Sequence, residues 1–462
     1  MKPKILVVVS NPWTYRNIFC TSLARMLVEN FDVSFCTCRE EIAQPIREQF
    51  PDLTVNTIPY GAVAKKNFER LLYQYRCEAA VCSGESRYLW LNFTWHNDRS
   101  RRARLMRAFG FDMPRPRATT DDLRRAMEDS YRGLVTDEPC IQSATNLLRS
   151  VKPEFVWLGT TMLDFDLLMT AAARETGTKF FSTVLGWDNL SSKTFPVAPS
   201  LAYLIWGDSM EEDIVPYFEL IGRNMPLFKV GSPQFDSHAT YLASGPSDRP
   251  HPGGHGFDPS KPVVFYGGTS ELTMANEHEL VTELVAAIRQ KVLPESQWLV
   301  RLHPKDNGRR WDAVRALPGV VVFQPRKEKQ FEAWLPDRKE VDTMVGQIGM
   351  ASLVLNNAST LTLDACALDK PVVNIRFEPG GKKVRRSDFL FEYDHMKKIM
   401  NSGAFPVCNT MTEVLEETRR ALAAPAERSA AREKISRRIV GVLDGKVAER
   451  IVNAVSEIIA HA

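Results

Sequence analysis

The sequence predicts an α/β protein built as two doubly wound parallel sheets, and three observations carry that prediction. Short β-branched apolar runs alternate with helical stretches in both halves, the pattern of parallel strands covered by helices. The run Gly245-Pro246-Ser247-Asp248-Arg249-Pro250-His251-Pro252-Gly253-Gly254 continues neither a helix nor a central strand, so it reads as a linker. At 462 residues, 44% apolar and 25% charged, the chain is too long for one core.

Taken in order, the first half offers strands at Ile5–Val9, Val33–Cys36, Thr54–Ile58, Phe155–Leu158, Phe180–Leu185 and Leu201–Ile205. A helical insertion from about Ala62 to Ser150 separates the third from the fourth. The second half offers strands at Pro262–Tyr266, Trp298–Arg301, Val320–Phe323, Leu353–Leu355 and Val372–Ile375. The domains are accordingly 1–240, a linker over 241–260, and 261–445. The amphipathic end, 446–462, is expected to pack back on the first domain.

The net charge of +3 provides no whole-molecule field for nucleic acid, which is not an expected partner. Lys4–Val9 is too short for a signal-peptide core, and no apolar run approaches the roughly 20 residues that span a bilayer. A cytoplasmic location is the expectation. The eight cysteines are scattered without CxxC pairs, which fits reduced thiols better than a disulfide frame or a zinc site. Neither a cofactor nor a metal is expected.

Ligands of doubly wound sheets bind where loops leave the carboxyl ends of the strands, so the informative residues should follow strands. The first candidate loop in the second half is Gly267-Gly268-Thr269-Ser270, whose glycines permit close backbone approach and whose hydroxyls can bond phosphate oxygens. Next comes His303-Pro304, in which proline fixes the exit from the strand while Arg301 and Lys305 favour an anion nearby. Asn357-Ala358-Ser359-Thr360 follows, placing two hydroxyls at the start of a helix. Finally, Arg376 and the basic loop beyond it can clamp a diphosphate, with Glu378 able to accept from ribose hydroxyls.

Arg301-Leu302-His303-Pro304 together with Ala358-Ser359-Thr360 resembles the HP and Ser-Ser/Thr motifs of GT-B glycosyltransferases, notably bacterial sialyltransferases, capsule Kdo transferases and CDP-glycerol glycerophosphotransferases. The resemblance covers about Pro262 to Ile375 and is faint in the first half. It implies two Rossmann-like domains facing across a cleft, with His303, Ser359 and Thr360 on the phosphate of a cytidine nucleotide. The stretch Phe391-Glu392-Tyr393-Asp394-His395 also resembles a late donor-side segment of capsule and teichoic-acid enzymes.

On the first half's side, Arg16 and Asn17 follow the opening strand and are candidate contacts for donor phosphate or acceptor. In Gly186-Trp187-Asp188-Asn189, Trp187 can stack on a sugar face while Asp188 takes the proton of an attacking hydroxyl, with Asn189 beside them. Rival bases are Glu85, His96 and Asp98. The pair Asp164 and Asp166 has the spacing of a metal-binding DxD. It falls at a helix start, however, where acids are favoured electrostatically and positions two apart diverge. The arginine-rich tract Arg99–Arg117 reads as a solvated helix face, or as a patch docking on anionic lipid headgroups at the inner face of the membrane.

These readings converge on an inverting, metal-independent glycosyltransferase of surface-polysaccharide type such as capsule synthesis. It would move a sugar from a nucleotide-sugar donor, CMP- or CDP-linked in preference to UDP, to a saccharide or lipid-linked acceptor. The alternatives are a CDP-alditol phosphotransferase and a UDP-GlcNAc 2-epimerase-like isomerase.

Overall fold

The computed structural model describes residues 2–58, 121–122, 125, 128–129, 138–193, 195–196, 198–245, 248–249, 252–271, 273–325, 335–379 and 390–462. Two compact units emerge. One comprises Met1–Pro233, Tyr393–His395 and Lys446–Ala462; the other comprises Gln234–Glu392 and Met396–Gly445.

The first unit holds a seven-stranded sheet of β1 (Lys4–Val8), β2 (Asp32–Thr37), β3 (Val55–Thr57), β4 (Phe155–Leu158), β5 (Lys179–Thr183), β6 (Tyr203–Ile205) and β7 (Leu227–Lys229). Their order is β3-β2-β1-β4-β5-β6-β7, and every neighbouring pair is parallel. The central strands are buried apart from Lys4 at the start of β1, as a sheet covered on both faces requires. Asn11 starts the first helix, Pro12–Phe19, by accepting the Trp13 and Thr14 N–H groups at 2.9 Å, with Pro12 at the first helical position. The C-terminal helix Val447–His461 packs against Leu23–Asn30, and Lys179 Nζ donates to the Ala462 carbonyl at 2.7 Å.

The second unit holds a six-stranded sheet of β8 (Val263–Gly267), β9 (Gln297–Arg301), β10 (Val320–Phe323), β11 (Leu353–Asn356), β12 (Val372–Ile375) and β13 (Val407–Cys408). The order β10-β9-β8-β11-β12-β13 is again wholly parallel. The boundary at Pro233 lies ahead of the Gly/Pro run, so the helix Asp236–Ala243 belongs to this unit. The Tyr241 ring of that helix covers Gly349, where a β-carbon would sit 2.2 Å from the ring.

Both sheets run 3-2-1-4-5-6 from their own first strands, the first sheet adding a seventh strand at the end, and in this doubly wound order the chain reverses direction across the sheet between the first strand and the fourth. Those switch points fall between β1 and β4 and between β8 and β11. Two edge strands, β7 and β13, were not foreseen, because three and two residues are too few to show a period-2 or apolar signature. Residues 59–120, which include Glu85, His96, Asp98 and Arg99–Arg117, lie outside the described residues; helix is present over Glu138–Val151. No helix among the described residues is long and apolar enough to cross a membrane.

Candidate functional site

Of the segments that leave the carboxyl edge of the second sheet, those after β8, β9, β11 and β12 contain the predicted residues. At the end of β9, His303 Nδ1 accepts the Lys305 N–H at 3.0 Å. Burial, helped by the nearby cations of Lys305 and Arg310 and opposed by Asp306, pushes the imidazole down to about 4, so the ring is neutral near pH 7. A neutral ring whose Nδ1 accepts must carry its hydrogen on Nε2. His303 is therefore a hydrogen-bond donor in a fixed tautomer.

Across β8 from β9 stands β11, whose exit turn is held by a buried amide and hydroxyl network. Asn356 and Asn374, paired in register, both bond Thr362 Oγ1, at 3.2 and 3.1 Å. Asn357 donates from Nδ2 to the Ile375 carbonyl at 2.5 Å, and Ser359 Oγ accepts the Leu361 N–H at 3.2 Å. Ala358 sits at φ 36°, in the left-handed region that disfavours a β-carbon. Thr360 is exposed at the tip. Since β9 and β11 flank β8, the exits carrying His303 and Ser359 are two strand spacings, about 10 Å, apart.

The remaining predicted contacts carry local structural bonds. Gly267 makes room for Leu361, whose Cδ2 would lie 2.1 Å from a β-carbon there, and Gly268 N–H donates to the Arg301 carbonyl at 2.9 Å. Thr269 gives both its N–H and its hydroxyl to the buried Glu277, at 3.0 and 3.2 Å, while Ser270 bonds Thr273 at 3.0 Å. Arg301 donates to Gln347 at 2.8 Å, lies 3.6 Å from Glu340, and stacks over Phe323. Its guanidinium is turned to the helix Arg338–Met350 instead of standing open at the loop. Arg376 pairs with Glu392 at 2.5 Å. Glu378 Oε1 accepts the Asn276 N–H at 3.1 Å, and its Oε2 is buried without a hydrogen-bond partner among the described residues.

Sequence reasoning missed what lies beneath these loops. Arg310, Glu277 and Asp306 form a buried ion cluster with Trp311, whose Nε1 donates to Asp306 Oδ2 at 3.0 Å. Burial drives the Glu277 carboxyl up to about 8, against the lowering effects of Arg310 and of the Thr269 hydrogen bonds. A signal was present in His303-Pro304-Lys305-Asp306 and Arg310-Trp311, but a charged residue four positions from an acid reads as a surface helix pair.

On the first sheet, the switch point gathers Ser10, Asn11, Thr14, Gly159 and Thr160. Asn11 Nδ2 donates to Ser10 Oγ and Thr14 Oγ1 at 3.1 and 2.9 Å. Asp166 turns inward and is fully buried, accepting the Thr160 N–H at 3.0 Å. Burial raises its carboxyl to about 7, although the Ser10 hydroxyl and Thr160 N–H lower it. Among the described residues no group of three or more His, Cys, Asp or Glu is arranged to hold a metal. Arg16 Nε donates to Asn17 Oδ1 at 3.3 Å, and Asn17 is buried.

After β5, the loop Gly186-Trp187-Asp188-Asn189 is clamped by Asn189 Oδ1, which accepts the Gly186 N–H at 2.7 Å. Asp188 lies 3.3 Å from Lys193 Nζ with about a quarter of its side chain exposed, 27%. Burial raises its carboxyl, yet Lys193 and His395 outweigh that and hold it below the usual carboxylate range. His395 is buried in this same unit: its Nδ1 is 3.1 Å from Ser191 Oγ, and its ring meets the Trp187 ring edge-on at 4.7 Å and stacks on Tyr393. It thus packs with the Trp187 loop of the first unit. Trp187 is itself buried at 4% exposure, packed on His395.

No protein-family model and no curated protein sequence matches the chain. Solved structures do. A putative UDP-N-acetylglucosamine 2-epimerase from Listeria monocytogenes aligns over 100% of this chain and 98% of its own, with a TM-score of 0.53 at 11% identity. The UDP-GlcNAc 2-epimerase from Neisseria meningitidis, solved bound to UDP-GlcNAc, aligns over 98% and 100% with a TM-score of 0.52 at 12% identity. A glycosyltransferase from Rickettsia africae aligns over 100% of both chains with a TM-score of 0.52 at 9% identity. At such identities the likeness establishes the fold, two Rossmann-like parallel-sheet domains as in GT-B proteins.

Proposed function

We propose that the chain is a nucleotide-sugar enzyme, and specifically an inverting, metal-independent glycosyltransferase using a CMP- or CDP-linked donor in preference to UDP. The observation that carries this reading is His303. It is a neutral imidazole at a strand exit, with its hydrogen fixed on Nε2 and the Ser359-Thr360 turn on the other side of β8. A fixed donor of this kind suits a phosphate oxygen that gains charge as a glycosidic bond breaks. Glu378, with one buried carboxylate oxygen that has no partner among the described residues, suits ribose hydroxyls.

In transfer, the acceptor hydroxyl attacks the anomeric carbon as the bond to the donor phosphate breaks. Asp188 takes the hydroxyl proton. The His303 N–H and the Ser359 and Thr360 hydroxyls hold the departing phosphate. The acceptor is a saccharide or a lipid-linked saccharide of surface-polysaccharide synthesis.

A second reading, isomerisation of a UDP-sugar, is favoured by the fold likeness to two UDP-GlcNAc 2-epimerases. Incubation with single nucleotide sugars, with and without saccharide acceptors, separates the two. A transferase releases free nucleotide and forms a new glycosidic bond; an epimerase returns a different sugar nucleotide, and a phosphotransferase leaves CMP with the alditol phosphate transferred. Thermal shifts against CMP, CDP, UDP and GDP come first, and a protein shifted by none of them is not a nucleotide-sugar enzyme.

A further inference from the structure

All three nitrogens of the Arg310 guanidinium are committed to groups on two different strand exits. From the loop after β8, Nη1 donates to the carbonyls of Met274 at 2.5 Å and Ala275 at 3.0 Å, and Nη2 donates to the Thr269 carbonyl at 2.9 Å. From the turn after β9, Asp306 Oδ2 accepts Nε at 2.8 Å and Nη2 at 2.6 Å. Nη2 also meets Glu277, which in turn accepts the Thr269 N–H, the Thr269 hydroxyl and the Tyr266 hydroxyl.

The turn held by Asp306 is the one that presents His303. Asp306 N–H donates to the His303 carbonyl at 2.8 Å, and the Asp306 carboxylate also accepts the Gly308 N–H at 2.8 Å. A third exit is attached through Asn276, next to Ala275, whose N–H goes to Glu378. One largely buried cation therefore sits at the junction of three loops without belonging to any of the groups placed on the ligand. A lysine cannot replace it: its three N–H donors radiate from one nitrogen and cannot span acceptors spread around a planar fork.

We propose that Arg310 is a positioning residue that sets nucleotide affinity by locking the β8, β9 and β12 exits into one arrangement, acting chiefly through His303. The inference rests on reading this edge as the nucleotide site. Local order of this kind determines whether a donor already stands where a phosphate oxygen will be, which conserves binding energy otherwise lost in fixing it.

The test is a double-mutant cycle in nucleotide affinity, measured by calorimetry on the full chain with whichever of CMP, CDP or UDP binds the wild type. Arg310→Lys should weaken binding at least tenfold. In a His303→Asn background the same change should cost threefold or less, because the group it positions is gone. Equal losses in both backgrounds, or wild-type affinity in a folded Arg310→Lys protein, overturn the proposal. If Arg310→Lys does not fold, Asp306→Asn takes its place, since it removes the negative charge that ties the guanidinium to the His303 turn while leaving one oxygen to accept the Gly308 N–H, and the same two outcomes decide. A wild type that binds no nucleotide removes the functional reading and the inference together, whereas a wild type that binds with an additive cycle removes the inference only.

Discussion

The switch point of the second sheet is braced by an arginine and two buried carboxylates, whereas that of the first gathers small hydroxyl and amide groups around a single buried acid, Asp166. Beneath the β8 and β9 exits lie Arg310, Glu277 and Asp306, with the two carboxylates at most 1% exposed. At the corresponding switch point of the first sheet lie Ser10, Asn11, Thr14, Thr160 and Thr161, where the buried hydroxyls of Thr160 and Thr161 have no hydrogen-bond partner among the described residues. Charged, fully bonded clusters fix one geometry, because leaving any member unpaired is costly. Neutral hydroxyls commit the backbone less. An edge that must meet one invariant group, such as a nucleotide phosphate, benefits from the first arrangement; an edge that meets a variable saccharide tolerates the second.

The sharpest way to break this comparison is to remove one chemical group from each side. Asp188→Asn keeps the loop's shape and should abolish transfer while leaving nucleotide affinity unchanged, as measured by product formation alongside calorimetry. Normal transfer in that variant excludes Asp188 as the base. On the proposed reading, in which the imidazole meets charge developing on the leaving phosphate, His303→Ala should cost about 10²–10³ in turnover, roughly 3–4 kcal/mol. If turnover stays near wild type, the second edge has no privileged donor and the contrast between the edges loses its functional meaning.

A smaller effect tests the one buried acid of the first edge. The Asp166 carboxyl, raised to about 7 in the folded protein, sits near the ordinary carboxylate value when unfolded. A raised carboxyl contributes stability while it is protonated, and that contribution is lost as pH climbs from about 4 through 7. Asp166→Asn never ionises and still accepts from Thr160. It should therefore stabilise the protein by on the order of 3 kcal/mol at pH 8, with the gain fading to nothing near pH 4. Chemical denaturation at both pH values measures it, and equal stability of the two proteins at pH 8 would show that this carboxyl carries no such burden.

How much of this was legible in the chain depends on the range over which each signal acts. The parallel strands were readable because a strand buried on both faces is a continuous apolar run, as in Leu353-Val354-Leu355 or Trp298-Leu299-Val300. The strand exits were readable too, since His303-Pro304 and Asn357–Thr360 break those runs abruptly. The brace was not, because Arg310 meets Thr269 across 41 residues and Glu277 across 33, and nothing local distinguishes it from a solvated arginine. For the same reason Arg301 and Thr269, read as ligand contacts, turn out to bond Gln347 and Glu277. His395 joined the Trp187 loop across 204 residues of chain, a pairing with no sequence signature at all.

The smallest effect compares two glycines that look alike in sequence, each closing a strand at a switch point. A β-carbon on Gly159 would lie 2.6 Å from the Val8 carbonyl oxygen and 2.5 Å from Thr14 Cγ2. The carbonyl is fixed by the neighbouring strand, so relief requires β1 and β4 to separate. A β-carbon on Gly267 would meet only the tip of Leu361 at 2.1 Å, and a leucine can change rotamer. Overpacking of this kind typically costs about 1–3 kcal/mol, depending on what can move. Gly159→Ala should fall at the upper end of that range and Gly267→Ala at the lower, read as the difference in denaturation midpoint at equal slope. The reverse order would mean that the turn after β8 is the more tightly committed of the two even without its charges, and that the brace beneath it is redundant for stability.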